Sequence, residues 1–440
     1  MNFKNKKILI YGFGKSGESV LNLLKKETEF IYIFDDALFC KICAEKGEFE
    51  SKKFISKEKI FKNEFDYCIL SPGVKIYQNE IISYLKKQNV IILSELEVGL
   101  SFCKGKIFGI TGTNGKTTTS LLLYEIFKKA GKKTFLCGNY GIPVSSIARE
   151  TDEDSLIVCE VSSFQLEVFS FKNFYCSAIL NLEDDHLDRH LTKENYFVVK
   201  EKILKNAIKV INFDDFQLNV RKKRYLDAFF CSIKQKCNGV YINSNKEIFY
   251  QNQKIADAKN FKCLGDFNLE NLAVCVCMSL QIEIPNEIIQ MAINEFEPVE
   301  HRLEIVEMWK DILFVNDSKA TNPESAKKAV QVFKENVILL LGGADKGLDF
   351  SSLIQEKAIK FFVLFGECRE KIKKEMHGEN YVSLKTFKEA CDFAFKKAER
   401  GDVVLLSPGA TSFDEFSSFE ERGKVFKEYV KNFVSEQNEN

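Results

Sequence analysis

The sequence predicts an α/β protein in three domains, and three observations carry that expectation. Short apolar runs of strand length alternate with helix-like stretches along almost the whole chain. Glycine-rich turns stand where an apolar run hands over to a helix, at Gly12–Gly17 and again at Gly112–Gly115. The 440 residues exceed the size at which a single core keeps growing. The expected partition is a Rossmann-like domain over residues 1–96, a central P-loop ATPase-like α/β domain over 97–298, and a C-terminal Rossmann-like α/β domain over 299–440.

Composition narrows the function classes. Lys plus Arg and Asp plus Glu are both 63, so no global field favours nucleic acid. No uncharged apolar stretch approaches the roughly 20 residues of a membrane helix. Met1–Lys7 runs into the apolar Ile8–Tyr11 without the apolar core or cleavage site of a signal peptide, so a cytoplasmic protein is expected. The fourteen cysteines are scattered through apolar runs. The Cys40–Cys43 pair has no second pair and no nearby histidine, so buried thiols in a reducing compartment are expected rather than a zinc or redox site.

Taken in order, Ile8–Tyr11 reads as a strand, Gly12-Phe13-Gly14-Lys15-Ser16-Gly17 as a phosphate turn, and Ser19–Lys25 as a helix. A second strand, Phe30–Phe34, ends at Asp35-Asp36. This is the G-x-G-x-x-G fingerprint with an acidic residue about 20 positions on. It points to a phosphate at a helix N-terminus and only weakly to NAD. Tyr67–Leu70 leads into Ser71-Pro72-Gly73, a strand end of the kind where open α/β sheets place ligands.

In the central segment the strand Lys106–Ile110 enters Thr111-Gly112-Thr113-Asn114-Gly115-Lys116-Thr117-Thr118-Thr119, and a helix leaves it. Two residues separate the glycines where the usual loop has four. The chemistry of a phosphate cradle is still present: inward backbone N–H groups, a lysine charge at Lys116, and a hydroxyl at Thr117 for Mg²⁺. Strands are expected at Thr134–Cys137, Leu156–Val161, Ala178–Leu182 and Val210–Phe213, a hairpin region between Lys234 and Gln253, and a loop then a helix from Lys262 to Ile282. Glu160 at a strand end is placed for Mg²⁺. Asn181–His190 holds two of the four histidines, His186 and His190, among carboxylates.

The last segment has strands at Ile312–Val315, Val337–Leu341, Phe361–Phe365 and Val403–Leu406, and a polar tail, Ser435–Asn440, expected to fray. Glu300-His301-Arg302 and Asn316–Asn322 bring cations, a carboxylate and hydroxyls to a strand end. Arg302 and Lys319 suit a transferring phosphoryl group.

Gly112–Thr119, Glu160–Glu167, Glu183–Arg189, Asn268–Asn271, Glu300–Arg302, Asn316–Asn322 and Ser407–Gly423, in that order, resemble the Mur ligase family over essentially the whole chain. The resemblance implies an ATP-dependent amide ligase with Mg²⁺, two ions in the family pattern. Its implied substrates are UDP-N-acetylmuramoyl-L-alanine and D-glutamate, and its implied state is a monomer. Lys15, Ser16, Asp35, Ser71, Pro72 and Gly73 match positions for the UDP group, with Asp36-Ala37 where relatives carry hydroxyl and basic residues. Gly112, Thr113, Asn114, Gly115, Lys116, Thr117, Thr118, Asn268, Asn271, His301, Arg302, Asp317 and Lys319 match nucleotide positions.

By the same resemblance Thr117, Glu160, His186 and Lys200 match metal-site positions, and Lys116, His186 and Lys200 are the implied catalytic residues. Lys200 falls where the family has a carbamylated lysine. A bare ammonium would repel two Mg²⁺ ions, whereas a carbamate offers anionic oxygen. Asn139 matches a substrate-binding asparagine, and Thr321, Lys346, Ser412 and Phe419 match the D-glutamate pocket. The Asp-Asn-Pro-Arg motif of diaminopimelate-adding members is missing, and Ser412-Phe413-Asp414 replaces the commoner Ser-Leu-Asp. The implied reaction phosphorylates the alanyl carboxylate, and the amine of D-glutamate then displaces phosphate. Domain closure is expected to complete such a site.

Three other readings stay open. One is a family member that adds a different amino acid. Another is an NAD-dependent oxidoreductase built on the first fingerprint, which leaves Gly112–Thr117 without a role. The third is a nucleotide-switched interaction protein that hydrolyses ATP without an amino acid.

Overall fold

A computed structural model describes residues 1–36, 54–170, 174–183, 185–378 and 380–439. Ala37, the Cys40–Cys43 pair and Asp184 lie outside the described residues.

The first sheet is fully parallel, in the order β2-β1-β3-β4, with β1 at Ile8–Tyr11, β2 at Ile31–Phe34, β3 at Tyr67–Leu70 and β4 at Ile91–Ser94. Every residue of β1 is buried, as expected of a strand covered on both faces. The helix Lys15–Leu24 docks closely on the β1 turn: a Cβ on Gly17 would stand 2.3 Å from the carbonyl oxygen of Gly12. Only a glycine permits that approach. The Ser94 hydroxyl then caps the helix Glu95–Phe102 by accepting from the Glu97 amide at 3.2 Å. That helix carries the chain from the first sheet to the second.

The second sheet is also parallel. Its strands are β5 (Lys106–Thr111), β6 (Thr134–Gly138), β7 (Leu156–Glu160), β8 (Cys176–Ile179), β9 (Ile208–Asn212) and β10 (Phe229–Cys231), in the order β10-β9-β8-β5-β7-β6. From β5 the chain runs to β6 and β7 on one side and later to β8, β9 and β10 on the other. The carboxyl end of β5 is therefore a topological switch point, where α/β sheets bind ligands. A three-stranded antiparallel sheet follows, β11 (Val240–Ile242), β12 (Glu247–Tyr250) and β13 (Gln253–Asp257), two hairpins in the expected hairpin region, the last strand extending past Gln253 to Asp257.

The third sheet runs β14-β15-β19-β16-β17-β18, from β14 (Glu304–Trp309), β15 (Ile312–Asn316), β16 (Val337–Gly342), β17 (Ile359–Phe365), β18 (Tyr381–Ser383) and β19 (Val403–Gly409). Only β14 is antiparallel to its neighbour. The chain forms two compact units: one holds residues 1–261 and 267–296, with the first two sheets and the small one; the other holds 262–266 and 297–440. Each has its own apolar core. The three sheets confirm the α/β class.

The expected frayed tail is a correction. The last helix runs Phe419–Glu439, and the Trp309 indole N–H donates to Asn438 Oδ1 at 3.0 Å. Phe426, Val430 and Phe433 pack one face of this helix into the core, which polar composition alone does not reveal. Among the described residues no helix is long and apolar enough to cross a membrane.

Candidate active site

The glycine loop after β5 closes with Gly115 in the left-handed region, φ +82°, as the N-cap of the helix Lys116–Lys129. This aims the first-turn N–H groups and the positive end of the helix dipole into the loop, an arrangement suited to phosphate. The loop is latched to the segment following β8. The Asn114 amide donates to Asn181 Oδ1 at 2.8 Å, Asn181 Nδ2 returns a bond to the Asn114 carbonyl at 3.1 Å, and Asn114 Nδ2 donates to Glu183 Oε2 at 2.9 Å. The Glu183 amide in turn donates to Thr113 Oγ1 at 3.0 Å. Lys116 Nζ donates to the carbonyls of Gly112 and Thr113 at 2.9 and 2.7 Å, so its ammonium lies against the loop it is expected to serve. Thr117 and Thr118 are buried in the first helical turn. From the helix Asp266–Leu280, Asn271 closes on the loop: a Cβ on Gly115 would stand 2.6 Å from its Oδ1. Asn271 is also 3.3 Å from the Asn268 side-chain oxygen.

Glu160 is the last residue of β7 and is 2% exposed. Asn139 Nδ2 donates to its Oε1 at 2.7 Å, while its Oε2 is buried with no hydrogen-bond partner. A buried carboxylate oxygen without a donor is costly, and a cation removes that cost. Among the described residues no three His, Cys, Asp or Glu side chains gather into a metal cage. Mg²⁺ needs none, because it binds through one or two carboxylates with water and phosphate completing its octahedron. The donor set fits Mg²⁺. Asn139, expected at the substrate, is thus also the clamp that fixes Glu160.

Lys200 lies on the helix Lys193–Glu201 and is 1% exposed, so it is no ordinary surface lysine. Its Nζ donates to the Gly112 carbonyl at 2.8 Å, lies 3.4 Å from Thr111 Oγ1, and stands 4.8 Å over the Tyr196 ring. Burial pushes its pKa well down and the charge of Lys116 adds to the effect, while Asp185 and Glu160 oppose it. An amine kept from protonation is the form that can take up CO₂, so the residue fits carbamylation. His186 has left-handed backbone, φ 52°. Its side chain is half-exposed, with Nε2 3.5 Å from Asp185 Oδ2 and its ring 4.7 Å from Phe164.

In the same unit, a cavity of about 660 Å³ opens above the first sheet. It is lined by all six residues expected there: Lys15, Ser16, Asp35, Ser71, Pro72 and Gly73. Asp35 Oδ2 accepts from the Phe13 amide at 2.7 Å, and the Ser71 hydroxyl donates to the Gly12 carbonyl at 2.7 Å. Asp36, the next residue, accepts from the Tyr11 hydroxyl at 3.0 Å.

Within the second unit, His301 is buried, with φ 63°. Its Nδ1 is 2.9 Å from Asn316 Nδ2, and its backbone amide donates to Glu304 at 2.9 Å. Asp317 accepts from the Ser407 hydroxyl at 2.7 Å and the Leu303 amide at 3.2 Å. Burial raises its pKa to about 7, and the hydroxyl, the amide and the nearby Arg302 only partly offset that. Lys319 Nζ stands 3.7 Å over the Phe419 ring, whose edge meets His301 at a 6.2 Å centroid distance. Phe419, expected at the amino acid, therefore abuts two residues expected at the nucleotide. Lys346 Nζ is 5.5 Å from the exposed Phe413 ring, Ser412 is buried, and Thr321 is half-buried directly before the Asn322 cap of the helix Pro323–Gln331. Sequence reasoning singled out the Asn181–His190 segment but gave no individual role to Asn181, Glu183 or Tyr196. The position of Asn181 and Glu183 just past a strand end was the available signal.

The Mur ligase middle domain model matches residues 110–279, and the Mur ligase, glutamate ligase domain model matches 301–409. A UDP-N-acetylmuramoylalanine--D-glutamate ligase from Lachnoclostridium phytofermentans is 35% identical over 449 residues, covering 98% of this chain and 99% of its own. The chain belongs to the Mur ligase family. A protein of the same name from Caldicellulosiruptor bescii is 34% identical to this Mur ligase, covering 99% of each chain. Among solved structures, the UDP-N-acetylmuramate-alanine ligase MurC of Thermotoga maritima aligns with a TM-score of 0.60 at 18% identity, over 97% of this chain and 99% of that one. The MurF ligase of Thermotoga maritima in complex with ADP gives 0.60 at 16%, over 99% and 96%. These structural likenesses confirm the fold of the ligase.

Proposed function

We propose that this ligase joins D-glutamate to UDP-N-acetylmuramoyl-L-alanine, converting ATP to ADP and phosphate, in peptidoglycan precursor synthesis. Full-length identity to relatives named for that reaction supports the choice of substrates. The observation that carries the chemistry is the partnerless buried oxygen of Glu160, whose charge reaches Lys200 against the phosphate-loop carbonyl. In this reading residues 1–96 bind the UDP group, 97–298 the ATP, and 299–440 the amino acid.

Gly112–Thr118, with Asn268 and Asn271, cradle the triphosphate, and His301, Arg302, Asp317 and Lys319 serve the nucleotide. Mg²⁺, when bound by Thr117, Glu160, His186 and a carbamylated Lys200, supplies charge neutralisation where two anions must meet. Lys116 turns from the loop carbonyls to the γ-phosphate and stabilises charge on it. The alanyl carboxylate oxygen attacks that phosphorus, and ADP leaves. The unprotonated α-amine of D-glutamate then attacks the acyl carbon of the acyl phosphate; the C–O bond breaks, phosphate departs with the carboxylate's former oxygen, and the nitrogen gives up one proton to the departing phosphate. Thr321, Lys346, Ser412 and Phe419 orient the amino acid. Asn139 keeps Glu160 aimed. The protein is taken as a cytoplasmic monomer that acts on small molecules, without nucleic acid or membrane.

The test is ADP release with UDP-N-acetylmuramoyl-L-alanine and a panel of amino acids. D-Glutamate should drive turnover and L-glutamate, L-alanine and diaminopimelate should not. Equal release with another amino acid, or with none, contradicts the assignment.

A further inference from the structure

Arg189 is used by none of the steps above, yet it is one of the most completely engaged side chains of the first unit. Its Nε and Nη2 donate to the two carboxylate oxygens of Glu167 at 2.8 and 2.7 Å. The side chains of this pair are 7% and 1% exposed. Its Nη1 donates to the Pro72 carbonyl at 2.7 Å and its Nη2 to the Val74 carbonyl at 2.9 Å. The guanidinium also lies 4.1 Å over the Phe164 ring. Pro72, Gly73 and Val74 are a wall of the 660 Å³ cavity. Arg189 sits three residues after His186, on the short helix Leu187–His190. A second strap runs the same way: Asn195 Nδ2 donates to the Tyr77 hydroxyl at 2.8 Å.

We propose that Arg189 is a positioning residue that shapes the UDP-substrate cavity from the central domain, so that affinity for that substrate depends on a side chain outside the domain that binds it. A bidentate, desolvated arginine–carboxylate pair fixes the guanidinium plane. Its remaining donors hold two backbone carbonyls that bracket Gly73, a residue with no side chain of its own to anchor the loop. Losing the guanidinium frees that wall, and the cost falls on substrate binding rather than on the nucleotide. The idea rests on reading the cavity as the UDP-substrate site.

The experiment uses the full chain with Arg189→Met, Arg189→Lys and Glu167→Gln, each checked for folding by its melting curve. KM for UDP-N-acetylmuramoyl-L-alanine and for ATP are measured, with UDP binding by calorimetry and amide exchange over residues 71–77 without ligand. Arg189→Met should raise the UDP-substrate KM by about tenfold or more, the scale of a lost charge-assisted hydrogen bond, with the ATP KM within about twofold. Arg189→Lys should fall between, and exchange at 71–77 should accelerate. If Arg189→Met fails to fold, Glu167→Gln and Arg189→Lys must show the same split. An unchanged UDP-substrate KM, an equal rise in both KM values, or unchanged exchange overturns the proposal. A wild-type chain that binds ATP but not UDP overturns the cavity assignment and the proposal with it. That outcome is distinguished from failure of the proposal alone, in which the wild type binds UDP and the variants bind it equally well.

Discussion

At Lys200 a single side chain joins burial, charge and the phosphate loop. Its amine is held against the Gly112 carbonyl, where desolvation and Lys116 disfavour the ammonium. Lys200→Ala should lower kcat by about 10²-fold or more, and, on the proposed carbamylation, short carboxylates added to the assay should restore part of it by supplying the oxygens a carbamate would offer. Wild-type rates in that variant would remove Lys200 from the mechanism. Asp317 gives a stability test with a definite sign. Its folded pKa of about 7 lies above its ordinary 3.8, so the native state binds the extra proton. The stabilisation is complete below about pH 4 and is lost as pH rises through 7. Asp317→Asn should therefore flatten the decline in melting temperature across that window; parallel profiles would show that Asp317 ionises freely.

The phosphate loop and its helix make the corresponding case among the elements. Gly115 combines φ +82° with a Cβ position 2.6 Å from Asn271. Gly115→Ala should cost about 1–3 kcal/mol through backbone strain, and displacing Asn271 should weaken ATP binding as well. Calorimetry with a non-hydrolysable ATP analogue and thermal melts would check both, and an unaltered variant would contradict the loop geometry. The strands β1, β3, β5, β7, β16 and β19 were legible in the sequence because buried parallel strands read as unbroken apolar runs. Four others were not. Phe229–Cys231 and Tyr381–Ser383 have only three residues each, Ile91–Ser94 runs straight into the helix Glu95–Phe102 with no turn residue between them, and Glu304–Trp309 spaces its two glutamates three apart, off the strand period, on a sheet edge. The site was legible where chemistry needs a particular residue type, as at Lys116, Glu160 and Asp35. The latch of Asn181 and Glu183 on the loop, and the reach of Arg189 to Pro72, were not, because they join residues about 70 to 117 positions apart through geometry that no local pattern encodes.

For the whole molecule, binding at the candidate sites should stabilise the fold. UDP alone, occupying the first cavity, should raise the melting temperature, by about 2.7 kcal/mol of stability at a hundredfold excess over its dissociation constant. Absence of any shift at saturating UDP would contradict the cavity's role. The central claim is that the chain activates a carboxylate with ATP and hands it to D-glutamate. It is tested most directly by labelling both carboxylate oxygens of UDP-N-acetylmuramoyl-L-alanine with ¹⁸O and analysing the phosphate released during ligation. The account predicts one ¹⁸O in each phosphate, carried over when the C–O bond breaks, in an amount matching the D-glutamyl product. Unlabelled phosphate, or labelled phosphate without product, would contradict it.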